Sequence, residues 1–224
     1  MPRIDKHMST YDPDRALEYV QPIVLLVDRV DPAPDVDGIA AVALASVTAF
    51  AHAIAATDDL DSWTEWLSGL FAKSVRRADR KTFDKVWDEF SESGATRIKV
   101  GHAEAIAFAP VRANELPRTL SRLQVSGTEL PRADGAAPVA NAVTITVNSD
   151  LGMSTGKAAA QAAHALFAFR LDRRTHADAD PAVRIVYATA AEIRAELSAR
   201  PNAIIIEDAG RTEIEPGSLT AIAY

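Results

Sequence analysis

Twice along this chain a short apolar run is followed by a polar turn and a long alanine-rich helical stretch, and this repeated order restricts the fold to a layered α/β arrangement. The first instance joins residues 23–27 to a helix over about 38–54 through a Pro/Asp-rich loop. The second joins residues 143–147 to a helix over about 157–170. Each is followed by a strand that leads into another helix. Residues 74–78 precede a helix with Asp79 as N-cap and Gly94 just past its end, and residues 184–187 precede the helix over 190–199. Two more short apolar runs close each half, 97–100 with 105–109 and 203–206 with 219–223. The expectation is therefore an α/β fold with mixed sheets flanked by helices, built as two similar β-α-β-α-β-β halves packed as a pseudo-dimer. The run Pro131-Arg-Ala-Asp-Gly-Ala-Ala-Pro138 lacks periodicity and has the composition of a connector. It divides the chain into residues 1–130, a linker over 131–140, and residues 141–224.

With 224 residues and 48% hydrophobic content the chain is long and apolar enough to bury a core. It contains no cysteine, which excludes disulfides, thiolate nucleophiles and cysteine-based zinc sites. The apolar runs read as strand-sized or interrupted by His and Thr, and the first residues are polar and charged, so the expectation is a cytoplasmic protein with no membrane contact. A formal net charge of −7 argues against a simple nucleic-acid-binding face. Local clusters still permit one: Lys73, Arg76, Arg77, Arg80, Lys81 and Lys85 are broken only by Asp79 and Asp84, and Arg170, Arg173 and Arg174 follow directly on the second long helix.

The densest chemistry lies in Asp150-Leu-Gly-Met-Ser-Thr-Gly-Lys-Ala-Ala-Ala-Gln-Ala-Ala-His-Ala165. Lys157, Gln161 and His164 stand at i, i+4 and i+7, so at ~100° per residue they share roughly a 60° arc of one helix face. The ordinary role of such a stripe is a solvated helix side. Superposing the halves through Gly38 and Gly156 sets Ile39, Ala43 and Ser46 at the corresponding positions, so the first half lacks the polar triad. It carries extra material instead, including Trp63, Trp66 and the helix around Trp87. The glycine turn invites comparison with a phosphate-binding loop. That reading fails because three residues, not four, separate the glycines and Ala158 stands where a magnesium-holding hydroxyl is required. His7, His52, His102 and His176 show no metal-ligand spacing.

A second unusual run, Glu207-Asp-Ala-Gly-Arg-Thr-Glu-Ile-Glu-Pro-Gly-Ser218, follows the apolar stretch 203–206. Together with Asp150-Leu-Gly-Met, Gly156-Lys157, Gln161 and His164-Ala165, it resembles the archaeal and eukaryotic type of peptidyl-tRNA hydrolase over residues 141–224. The resemblance implies a four-stranded mixed sheet flanked by helices, a dimeric working unit, and hydrolysis of the ester joining a peptide to the tRNA 3′ ribose, with no metal or organic cofactor. It assigns Lys157, Gln161, His164, Asp208 and Thr212 to catalysis and Asp150, Gly156, Arg211 and Ser218 to substrate binding. Peptidyl-tRNA is the implied partner, and the two halves of one chain, the first a degenerate copy, stand in for the dimer. The family's further helix between the first helix and the second strand is replaced here by a short Asp/Arg/Ala loop over residues 171–182. A non-catalytic tRNA- or protein-binding module that keeps the same residues is the alternative.

Ester hydrolysis requires a positioned water, a proton acceptor, stabilisation of the carbonyl oxygen and departure of a ribose hydroxyl. Asp208 and His164 are expected to pair, with His164 the better-tuned base because its unperturbed pKa lies near ~6.5, and Asp208 as water-orienting base with a structural His164 the opposite assignment. Lys157 at a helix start combines an ammonium with free backbone N–H groups, which suits a phosphate or a developing oxyanion. Gln161 offers a donor and an acceptor to water or a hydroxyl. Arg211 suits either a phosphate grip or a salt bridge to Asp208, and Gly210 a backbone turn.

Overall fold

The structure, a computed structural model, describes residues 19–56, 60–69, 71–136, 139–173, 182–209 and 214–224. The amino-terminal half runs β1 (Tyr19–Leu26), α1 (Asp35–Ala56), α2 (Asp61–Ser68), β2 (Lys73–Ala78), α3 (Arg80–Phe90), β3 (Thr96–Val100), β4 (Ala103–Ala107), β5 (Val111–Arg112) and α4 (Arg118–Ser121). The carboxyl-terminal half runs β6 (Val143–Asn148), α5 (Thr155–Arg173), β7 (Val183–Ala188), α6 (Ala190–Ala199), β8 (Ile204–Glu207) and β9 (Leu219–Ala223).

The first sheet has the order β2-β1-β4-β3, with the short β5 added on β1, and the second has the order β7-β6-β9-β8. Pairing directions also correspond. β1 and β2 are parallel as β6 and β7 are, while the β1–β4, β3–β4, β6–β9 and β8–β9 pairs are antiparallel. The mixed α/β architecture with helix-flanked sheets thus agrees with the sequence reading. Signals at helix ends agree as well. Asp79 accepts from Thr82 N at the start of α3, and Thr189 and Glu192 form a reciprocal capping box at the start of α6. Gly94 is left-handed, with φ 81°, just after the short 3-10 turn that extends α3.

α1 and α5 lie against each other between the two sheets. α1 rests on β1, β3 and β4 and reaches β7, while α5 rests on β6, β8 and β9 and reaches β2. Their alanine faces permit this close approach: Ala41, Ala43, Ala45, Ala159, Ala162, Ala163 and Ala165 are all fully buried. One continuous core consequently includes both halves, with α3 covering a smaller cluster around Val24, Phe83, Val86 and Ile106 on the outer face of the first sheet. The sequence reading treated the apolar runs as too short or too interrupted to span a membrane. α1 is nevertheless a 22-residue helix long and apolar enough to do so, and most of that stretch is buried between the sheets. Internal burial on all sides accounts for its composition.

The connector is no free tether. Pro131 accepts from Asp35 N, Ala133 N donates to the Asp35 carboxylate, and Ala136 N donates to Ile185 O. A segment crossing a buried seam must pair its backbone groups, and it pairs them with both halves. Residues 137 and 138 of the linker lie outside the described residues.

Candidate active site

The first turn of α5 delivers Lys157, the next turn Gln161, and the β8–β9 connection delivers Asp208. A register shift between Ile206 and Glu207 immediately precedes Asp208, the kind of irregularity that re-aims a side chain at a strand end. The Asp208 backbone is clamped from the returning chain: its N–H donates to Ser218 O at 2.9 Å and its carbonyl accepts from Gly217 N at 2.8 Å. Its carboxylate, only 2% exposed, forms an ion pair with the Lys157 ammonium, whose side chain is 15% exposed. Gln161 Nε2 donates to the same carboxylate oxygen at 3.2 Å.

Thr220, which sequence reading did not single out, completes the group. Its hydroxyl stands 3.1 Å from Gln161 Oε1 and 2.9 Å from Ile206 O. The amide NH2 of Gln161 therefore faces Asp208 and its carbonyl faces Thr220, the one orientation that puts a donor on the carboxylate. The available signal was a single hydroxyl in the otherwise apolar strand Leu219-Thr-Ala-Ile-Ala.

His164 departs from expectation. Among the described residues no hydrogen bond joins it to Asp208, whose carboxylate is taken by Lys157 and Gln161. The imidazole instead lies against the Phe71 ring, with centroids 5.1 Å apart. Burial, then the nearby charges of Lys73 and Lys157, holds its proton affinity well below the ordinary histidine value. The reason is geometric: two turns of helix carry residue 164 past the β8–β9 loop and into the seam with the amino-terminal half.

The helix start differs too. Gly156 N donates to Thr128 O, Thr155 N to the Glu129 carboxylate, and Lys157 N to Ser154 Oγ. The N–H groups expected to be free for an anion are occupied by the chain's own capping groups. Gly156 is required by this crossing, because a Cβ there would stand 2.8 Å from Thr128 Cβ. Gly38, its counterpart in the first half, is approached by Leu130 of the same segment. Asp150 turns to another helix and accepts from Ala190 N at 2.9 Å, at the start of α6. Ser218 contributes its backbone to the Asp208 clamp. Arg211 and Thr212, with Gly210, lie outside the described residues, as does most of the 171–182 loop.

At the corresponding positions of the first half, Ile39, Ala43 and Ser46 are fully buried, and Ser46 donates to Gln21. The β3–β4 connection there is the tight turn at Gly101 and His102, with no counterpart of the acidic loop. The basic cluster is largely committed internally. Arg76 donates to the Leu120 and Leu123 carbonyls, Arg77 to Gln124, and Arg80 and Arg97 share Glu104. Arg170 is buried, and Arg174 lies outside the described residues. His52 meets Thr96 and His102 meets Asp31, while His7 and His176 lie outside the described residues. Among the described residues no group of three or more His, Asp or Glu side chains is arranged to hold a metal ion.

This arrangement can do definite chemistry: a buried carboxylate fixed by an ammonium and an oriented amide can hold a water and stabilise charge on a nearby oxygen. No curated protein matches the chain. The stretch that contributes the cluster, residues 142–224, matches the family model of peptidyl-tRNA hydrolase PTH2.

Proposed function

We propose that the carboxyl-terminal half hydrolyses the ester between a peptide, or an N-blocked aminoacyl group, and tRNA, releasing free tRNA. One observation carries the reading: Lys157, Gln161, Thr220 and Asp208 form a single connected cluster inside the stretch that matches the hydrolase family. Asp208 orients the attacking water, takes its proton and returns it to the ribose oxygen as the ester C–O bond breaks, Lys157 stabilises negative charge on the ester carbonyl oxygen, and Gln161 holds the water or the departing ribose hydroxyl. His164 lines the site from the seam side in its neutral form. Thr212 and Arg211, in the same loop as Asp208, would complete the wall and the phosphate contact.

The amino-terminal half is best read as a copy of the same unit whose site has been filled with apolar side chains. Support comes from the matching strand orders and from the two corresponding glycines touched by one segment. The two halves would then replace a dimer within one cytoplasmic chain.

The test is release of tRNA from peptidyl-tRNA or N-blocked aminoacyl-tRNA by the purified full chain. Turnover is expected to be abolished by Lys157→Ala and by Asp208→Ala, with thermal melts confirming that each variant is folded, since unpairing a buried ion can cost about 3–5 kcal/mol. Asp208→Asn supplies a milder replacement. Wild-type protein that binds tRNA with salt-sensitive affinity yet shows no turnover would instead establish the non-catalytic binding module.

A further inference from the structure

Lys73 opens β2 in the amino-terminal sheet, and its side chain enters the seam between the halves. Its Nζ is buried with no hydrogen-bond partner. It lies 4.4 Å from the centroid of Trp66 and 4.8 Å from those of Phe71 and Phe167. Two of these rings belong to the amino-terminal half and one to α5, so the box exists only when the halves are joined. Phe71 is also the ring against which His164 rests. Two bases therefore bear on one ring, Lys73 through its buried Nζ and His164 from a partly buried position.

The surroundings decide which base carries a proton. From α5 the enclosure receives His164 and, farther toward the helix start, Lys157; α2 contributes the Trp66 indole, whose N–H is already given to Ala72 O. β1 contributes neutral Gln21, bonded to Ser46 and Phe108. The β8–β9 connection contributes the Asp208 carboxylate, which is ion-paired with Lys157 and bonded by Gln161. Burial lowers the proton affinity of both bases. A second positive charge here would be uncompensated, so at most one proton is held. Lysine is intrinsically the stronger base, ~10.4 against ~6.5, and three aromatic faces attract an ammonium.

We propose that Lys73 is a positioning residue for the carboxyl-terminal site, supplied by the amino-terminal half: as an ammonium inside the Trp66, Phe71 and Phe167 box, it opposes a second positive charge on the His164 imidazole across the shared Phe71 ring. The inference rests on the functional reading above only in counting His164 as part of the site.

The experiment is an NMR titration of the histidine ring protons in the full chain, which reads protonation without requiring turnover. In the wild type His164 is expected to remain neutral well below the ordinary histidine midpoint of ~6.5. Lys73→Met, apolar and of similar length, should raise the His164 midpoint by about one pH unit, a tenfold gain in proton affinity. Because the chain has no other cysteine, Lys73→Cys can be aminoethylated while unfolded and refolded, and the restored ammonium should return the midpoint. A His164 midpoint that does not move in folded Lys73→Met protein, or that aminoethylation does not reverse, overturns the proposal. So does a wild-type midpoint near ~6.5, whatever the variants do. Loss of the hydrolase reading would leave these titrations untouched, and their failure would leave hydrolysis untouched.

Discussion

The orientation of one amide shows how the site is held at the residue scale. Gln161 faces Asp208 with its NH2 while its carbonyl oxygen accepts at the other end, and Thr220 donates that hydrogen bond from the neighbouring strand. Thr220→Val keeps the side-chain shape and removes the hydroxyl. The expected result is a stability loss of about 1–3 kcal/mol by thermal or urea unfolding, because a buried carbonyl is left unpaired. At least a tenfold fall in turnover should accompany it as Gln161 loses its fixed orientation; unchanged turnover would remove Thr220 from the site. Lys157 and Gln161 were legible from helical spacing, and Asp208 from the motif after a strand. Thr220 was not, because a lone threonine in a strand is ordinary until its neighbour is known.

At the scale of elements, the start of α5 is set by the segment that crosses it. Thr128, Glu129 and Leu130 take up or supply hydrogen bonds at Thr155 and Gly156, and the crossing is close enough to demand glycine. Gly156→Ala should destabilise the protein by about 1–3 kcal/mol through overpacking. Combining it with Thr128→Gly removes the opposing Cβ, so the double variant should lose less than the sum of the two single losses. Additive losses in denaturant melts would show that the crossing does not constrain residue 156. Strands, long helices and caps were legible because each depends on residues near one another in the chain. Occupied N–H groups at a predicted anion site were not, since their partners Thr128 and Glu129 come from the end of the segment that sequence reading assigned to the first half.

Across the whole molecule, the halves are fastened where α1 begins. Asp35 is buried and accepts from Val36 N, Ala133 N and the Tyr187 hydroxyl, while Arg132 stacks on the Tyr187 ring. Burial, reinforced by Asp35, holds the Tyr187 phenol protonated well above its ordinary range. The unfolded chain releases that proton near pH ~10 while the folded chain retains it. The contribution is therefore complete below about pH 10 and is lost as pH rises further, with a limiting slope of about 1.4 kcal/mol per pH unit. Tyr187→Phe should lower stability at neutral pH by about 1–3 kcal/mol and flatten this alkaline decline. Parallel declines for wild type and variant in denaturant melts above pH 10 would exclude the latch.

Periodicity, capping and the two polar motifs were written into the chain because they depend on local geometry: helical pitch, strand alternation and the residues that tolerate a turn. They were sufficient for the layered α/β order and for bringing residues 157, 161 and 208 into consideration together. Contacts across the seam settled the rest. Whether His164 meets a carboxylate or an aromatic box, whether a helix start is open, and whether Lys73 faces water or three rings all depend on how two alanine-faced helices pack between two sheets. Those outcomes arise from groups far apart in sequence that share one buried volume, where desolvation makes each polar group depend on whichever neighbour the fold supplies.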